Sequence, residues 1–136
     1  MTEPKNPLAT VLGSYYPTHF VLAAIDDPSR ATLALAALRE AGLAEAAAEI
    51  CPGPQFLKNY RDFIDHRGPL ARVAAAFPSE EQSAIAEYLE EAERGASFVT
   101  VHTPERAKRD EARDVLKTHG GHAMRYYGDH AITDLS

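Results

Sequence analysis

Six histidines stand among the 136 residues, and histidine is the side chain best suited to proton transfer near neutral pH and to metal binding. His119 and His122 are separated by two glycines, a spacing that resembles a pair of metal ligands. Transition-metal sites, however, generally need three or four ligands. His119 also falls in the last turn of a predicted helix, where the helix dipole favours a histidine. We therefore interpret this pair as structural.

The other reactive side chains form no catalytic motif. Cys51 is the only cysteine, so no disulfide can form within the chain. It precedes a predicted helix, which can activate a thiol, but we favour a buried and inert cysteine. Asp26 and Asp27 would suit a paired-carboxylate site, although Asp27 is also placed to cap a helix. The sequence contains no GxSxG, no phosphate-binding loop and no GxGxxG.

Composition and charge argue against several classes of protein. The formal net charge is −6 and the pI is about 5.5, whereas nucleic-acid and anionic-membrane surfaces select clustered lysine and arginine. No apolar run reaches the roughly 18 residues of a membrane span. The first residues, MTEPKNPLAT, lack the features of a secretion signal. We expect a soluble cytoplasmic protein that binds neither nucleic acid nor membrane.

The elements that must position these side chains follow from an internal repeat. A shift of 78 positions aligns Phe20 with Phe98, Ala34 with Ala112, Leu38 with Leu116 and Gly42 with Gly120. Each copy reads as a strand, a helix, a glycine stop and a second strand, which is a β-α-β unit written twice. Two such units facing each other predict an α+β fold, a ferredoxin-like antiparallel sheet with the strand order 4-1-3-2.

The predicted boundaries give one domain, residues 19–136, after a loose N-terminal arm, residues 1–18, of which residues 1–14 should be dispensable. Strands are predicted over 19–25, 46–51, 97–102 and 122–127. Asp27-Pro28 and Thr103-Pro104 each predict a helix start. The tail after residue 127 should pack on the domain.

Residues 55–94 have no counterpart in the repeat and predict a helical insertion between its two halves. Helical spacing of apolar residues predicts one helix up to Gly68-Pro69 and a short second helix after it. Ser79 and Gln82 form a capping box for a third helix.

The strand pattern predicts two different faces of the sheet. The face under the repeat helices should carry Val21, Ala23, Ile25, Val99 and Val101. The opposite face should carry Phe20, Leu22, Phe98, Thr100 and His102, with Met124 and Tyr126 or their neighbours. An apolar face of this size must be covered by the insertion, by a second subunit or by both. We expect that the protein is a homo-oligomer, a dimer. A small-ligand site on this face would use Phe20, Phe98, Thr100, His102 and Tyr126.

Topology also sorts the histidines into two groups. His19, His102 and His130 should lie near one end of the sheet, and they form an alternative metal or haem site. His119 and His122 should lie at the other end, with Asp26, Asp27 and Cys51. A strand of six residues is roughly 20 Å long, so the two groups cannot share one ion.

Three segments resemble the general-stress-protein family: FVLAAIDDPSRATLALAALREAG, FVTVHTPERAKRDEARDVLKTHGGH and MRYYGDHAITDL. Bacterial members of that family carry a heat-induced stress domain of this repeated form. The resemblance implies a ferredoxin-like fold and an association with stress response, and it implies no catalytic residues. The helical insertion and the long N-terminal arm depart from the shortest members.

These observations lead to one preferred function and two alternatives. We expect a stress-associated domain without turnover that binds a small molecule or a protein partner and self-associates. One alternative is a small enzyme of the dimeric α+β-barrel type, in which His102 acts as an acid–base or ligand group. The other is metal or haem binding by the first histidine group. An enclosed pocket with His102 pointing inward would favour the enzyme or haem alternatives.

Overall fold

The computed structural model describes residue 12 and residues 19–43, 48–75, 80–128 and 132–135. These residues form a mixed α/β arrangement of four helices and one five-stranded antiparallel sheet. The strands are β1 (Phe20–Ile25), β2 (Ala48–Cys51), β3 (Ser97–His102), β4 (His122–Tyr127) and β5 (Ile132–Asp134). The helices are α1 (Pro28–Glu40), α2 (Gly53–Ala75), α3 (Glu80–Glu93) and α4 (Arg106–Thr118). Within these ranges, no helix combines the length and the apolar character needed to cross a membrane.

The sheet has the strand order β2-β3-β1-β4-β5. Read from β4 inward, four of its strands follow the predicted order 4-1-3-2. β5 pairs with β4 and extends the sheet by one strand, where the sequence predicts only a packed tail. β1 lies at the centre, and all six of its residues are buried because helices cover both faces of the sheet.

The two repeat helices end in the same way. Gly42 follows α1 with φ +74°, and the N–H of the next residue donates to the Leu38 carbonyl at 2.9 Å. Gly120 follows α4 with φ +87°, and the N–H of the next residue donates to the Leu116 carbonyl at 2.8 Å. Glycine adopts this left-handed conformation without steric cost, so both predicted glycine stops are confirmed.

The start of α1 is also as predicted. The Asp27 carboxylate accepts a hydrogen bond from the Ser29 N–H at 2.8 Å, and Pro28 occupies the first turn. A proline there loses no hydrogen bond, because the first N–H groups of a helix have no partner within the helix.

The start of α4 differs from the prediction at Thr103-Pro104. The helix begins at Arg106, and its N-cap residue Glu105 makes no side-chain capping bond. The Thr103 N–H instead donates to the His19 carbonyl at 2.7 Å, which continues the pairing of β3 with β1. The chain therefore still follows the sheet at Thr103 and turns into the helix only afterwards.

The sheet separates two hydrophobic clusters. The repeat-helix core lies against α1 and α4 and includes Val21, Ala23, Ile25, Val99, Val101, Leu38 and Leu116. The insertion core lies against α2 and α3 and includes Phe20, Leu22, Phe98, Phe56, Ile85 and Tyr88. The predicted faces of β1 and β3 are confirmed, and the insertion covers the second face.

On β4, the neighbours of Met124 and Tyr126 face the insertion, which is the second of the two predicted alternatives. Tyr126 pairs with Val21 and Tyr127 pairs with Phe20, so Tyr126 lies on the repeat-helix side. Met124 lies there too, whereas Tyr127 packs in the insertion core. Side chains alternate along a strand, so a change of one residue in register exchanges the two faces.

The insertion contains one long helix where a break is predicted. α2 runs from Gly53 to Ala75 and packs along α3, so the predicted end at Gly68-Pro69 is wrong. A proline inside a helix removes one hydrogen bond, and the remaining hydrogen bonds can still continue the helix. The predicted capping box involves Ser79, which lies outside the described residues.

One residue of the N-terminal arm belongs to the core. Leu12 is only 6% exposed and packs in the insertion core. Burial of a leucine side chain stabilises a fold, so this position contradicts the prediction of a loose and dispensable arm. The other residues of 1–18 lie outside the described residues, and the prediction for them stays a prediction.

Candidate functional site

Three side chains that can bind metal meet at one end of the sheet. Asp26 directly follows β1, His122 begins β4, and Glu91 lies in the last turn of α3. β1 and β4 are antiparallel neighbours, so the end of one strand lies beside the start of the other. α3 packs on the insertion side of the sheet and brings Glu91 next to His122.

The distances within this cluster are short. His122 Nε2 lies 2.9 Å from Glu91 Oε1 and 3.5 Å from Asp26 Oδ1. One donor atom from each residue lies within 4.8 Å of the other two. The second ring nitrogen, His122 Nδ1, faces the Gly120 carbonyl oxygen at 3.4 Å. One imidazole and two carboxylates can therefore contact the same bound ion or group.

The cluster runs from the protein surface into the interface between α3 and β4. The Asp26 side chain is 81% exposed, His122 is 38% exposed and Glu91 is 13% exposed. Partial burial tends to lower the pKa of His122, but the Glu91 hydrogen bond, the Gly120 carbonyl and the charges of Glu91 and Asp26 together raise the pKa above its ordinary value of 6.5. These neighbours stabilise positive charge at this point.

A second ion pair lies one turn away on the same helix. Glu87 of α3 pairs with Arg125 of β4, and the Arg125 guanidinium lies 5.2 Å from the centre of the Tyr88 ring. These contacts, with the Glu91–His122 contact, hold α3 against β4. The cluster thus has a structural role in addition to any role in binding.

The predicted ligand-binding residues are not gathered around one opening. Phe20 stacks on Tyr127 with ring centres 5.1 Å apart, and Phe98 contacts the rings of Phe56 at 4.6 Å and Tyr88 at 5.7 Å. Both phenylalanines are packed within the insertion core.

The polar members of that predicted set are separated too. Thr100 is buried, and His102 is half-buried at the margin, where it pairs with Phe20 across β1 and β3. Tyr126 lies on the other side of the sheet, under the Arg109 guanidinium, so its grouping with the other four is wrong. A ligand role for His102 stays a prediction.

The predicted histidine groups are found in part. His19 and His102 lie at the same end of the sheet, since β1 begins where β3 ends. His130 lies outside the described residues, so the metal site with these three residues stays a prediction. His119 Nδ1 contacts the Val115 carbonyl oxygen at 2.8 Å, in agreement with a structural histidine at a helix end.

The sequence predicts that His122 and Asp26 lie at one end of the sheet, but it does not indicate Glu91. Glu91 belongs to the insertion, which has no counterpart in the repeat, so the repeat does not indicate where it lies. Its position three residues after the buried Tyr88 is a signal that it lies near the sheet. Cys51 stays apart from this cluster and is buried, and burial together with the charge of Glu49 raises the pKa of its thiol to about 11.

A groove lies on the insertion, between α2 and α3. Its volume is about 460 Å³. It is lined by Leu57, Tyr60, Arg61, Asp65, Leu89 and Glu93. The apolar side chains among them also pack against the insertion core, and the charged ones are exposed.

Comparison with known proteins adds no relative. No protein-family model, no curated protein and no solved structure matches this chain.

Proposed function

We propose that this chain is a ferredoxin-like, stress-associated cytoplasmic domain that binds a small molecule and catalyses no reaction. The strand order β4-β1-β3-β2, with two repeat helices on one face, supports the ferredoxin-like assignment. The resemblance of the repeat to general-stress proteins supports the association with stress. The sequence carries no catalytic motif, which favours binding over turnover.

The observation that carries the binding function is the groove between α2 and α3. Its volume of about 460 Å³ falls within the range of small-ligand pockets, roughly 300–1,000 Å³. Leu57, Tyr60 and Leu89 provide apolar surface for the body of a ligand. This lining of apolar side chains with a few polar groups is typical of sites for small molecules.

The charges of the groove favour a ligand with a positive group. Asp65 and Glu93 supply two carboxylates against one guanidinium, that of Arg61. The whole chain carries a net charge of −6, which also attracts cations. The ligand class is therefore a small apolar molecule that bears an amine or another cationic group.

Self-association into a dimer stays a prediction. The apolar sheet face is covered by α2 and α3, so this face does not by itself require a second subunit. Native mass spectrometry of the protein would measure the subunit number directly.

Dodecyltrimethylammonium, used below its critical micelle concentration, tests the proposal. In ¹H–¹⁵N NMR spectra of the full chain, this ligand should shift the amide signals of Leu57, Tyr60 and Leu89. The shifts should reach a plateau as its concentration rises. Dodecyl maltoside has the same tail and a neutral head, so it should bind more weakly. No saturable shifts at these residues would contradict the proposal.

A matched pair of variants on α3 tests the charge argument. Glu93→Lys reverses a charge at the groove, and it should weaken binding of dodecyltrimethylammonium by about fivefold, equivalent to about 1 kcal/mol. Glu90 is also exposed on α3 but does not line the groove, so Glu90→Lys is the control. Equal losses in the two variants would show that only the overall charge of the protein matters.

A further inference from the structure

The charges of Asp26, Glu91 and His122 suit a divalent cation. Two carboxylates contribute two negative charges, and even a protonated imidazole contributes only one positive charge. A divalent cation beside a neutral imidazole would balance the two carboxylates. A divalent ion is therefore compatible with the charges of these three side chains.

The two distances from His122 fit a single ion as well. Ligand atoms about 2.1 Å from one ion lie roughly 3.0 Å apart at a right angle and roughly 3.4 Å apart in a tetrahedron. His122 Nε2 is 2.9 Å from Glu91 Oε1 and 3.5 Å from Asp26 Oδ1. Asp26 is the most exposed of the three, so its carboxylate has room to rotate toward an ion.

The second ring nitrogen of His122 has a contact that is compatible with a metal ligand. A histidine that binds metal through one ring nitrogen usually donates its other N–H to a carbonyl or carboxylate, which fixes the ring. His122 Nδ1 faces the Gly120 carbonyl oxygen, which leaves Nε2 directed toward the two carboxylates. The Gly120 carbonyl belongs to the glycine stop of α4, so a defined turn holds it in place.

We propose that Asp26, Glu91 and His122 bind a divalent transition-metal ion of the zinc class, which joins α3 of the insertion to β1 and β4 of the sheet. An imidazole with two carboxylates suits zinc, manganese or iron, whereas magnesium and calcium prefer sites made only of oxygen. Water completes the coordination on the exposed side of Asp26. This site is independent of the groove between α2 and α3.

Calorimetric titration of the EDTA-treated and desalted full chain with ZnCl₂ tests the proposal. One ion should bind per chain, and MgCl₂ should give no comparable binding. Asp26 is exposed, so a substitution there does not disturb the core. Asp26→Asn should weaken zinc binding at least tenfold, because loss of a residue that only supports a metal ligand already weakens binding by about that much. Asp27→Asn is the matched control, because asparagine also caps a helix and Asp27 is outside the cluster.

Two further variants locate the ion. His122→Gln should abolish zinc binding, and His119→Gln, on a neighbouring histidine whose ring contacts Val115, should leave the affinity within about twofold. Circular dichroism in EDTA checks that each variant is folded. Zinc should raise the melting temperature of the wild type and not that of His122→Gln, because a ligand stabilises only the fold that binds it.

Two results would overturn the proposal. Absence of zinc binding by the wild type would mean that the cluster is an ion pair only. Zinc binding that survives both Asp26→Asn and His122→Gln but is lost in His102→Gln would place the ion at the opposite end of the sheet.

Discussion

The Tyr88 hydroxyl donates a hydrogen bond to the Ala123 carbonyl at 2.7 Å. Ala123 has φ +51° and lies where the pairing of β4 with β1 shifts register. This bond therefore ties α3 of the insertion to the irregular start of β4. Burial raises the pKa of Tyr88 to about 12, against smaller opposing effects that include the nearby Arg125, so the hydroxyl keeps its proton at neutral pH.

Removal of this hydroxyl should destabilise the fold. Tyr88→Phe keeps the ring but leaves the Ala123 carbonyl without this donor, and the free energy of unfolding should fall by about 1–3 kcal/mol. Urea denaturation measures this value. Tyr60→Phe is the control on the same side of the sheet, because the Tyr60 ring is only partly buried, and it should change stability by less than about 0.5 kcal/mol. Equal effects would show that the hydroxyl bond does not hold α3 in place.

The repeat predicts equal burial for Leu38 and Leu116, and the structure confirms that neither is exposed to solvent. Leu38→Ala and Leu116→Ala should each lower the free energy of unfolding by about 2–5 kcal/mol, because each leaves a cavity in the repeat-helix core. Leu33 on α1 is 59% exposed, so Leu33→Ala should stay within about 0.5 kcal/mol of the wild type. A small effect at Leu38 or Leu116 would contradict the packing of the two repeat helices.

The burial of Leu12 leads to a revised expectation for the N-terminal arm. Leu12→Ala should lower the free energy of unfolding by about 2–5 kcal/mol, as truncation of a buried leucine does. Thermal unfolding of this variant and of the wild type measures the difference. Unchanged stability would mean that the arm contributes nothing at this position, as the sequence alone predicts.

Cys51 should react slowly with alkylating reagents. The thiolate is the reactive form, and burial together with Glu49 raises the thiol pKa to about 11 from its ordinary value of 9.0. Folding therefore favours the neutral thiol, and this contribution to stability is complete below pH 9 and is lost as the pH rises through about 11. Iodoacetamide at pH 8 should modify the native protein far more slowly than the protein in urea. Equal rates would contradict the burial of this thiol.

The sequence determines those features that depend on neighbouring residues. Gly42 and Gly120 end their helices because the turn itself needs a left-handed residue. Asp27 caps α1 because its carboxylate accepts a hydrogen bond from the N–H of Ser29, which is only two residues away. The alternation along β1 and β3 likewise separates the two faces of each strand, whatever packs on them.

Tertiary structure alone decides the features that depend on how distant elements dock. Glu91 and His122 are 31 residues apart in the sequence. They are in contact only because α3 packs against the start of β4. Whether Tyr126 or Tyr127 faces the insertion depends on the register between β4 and β1. Packing over many side chains sets such positions, and no short stretch of sequence contains that information.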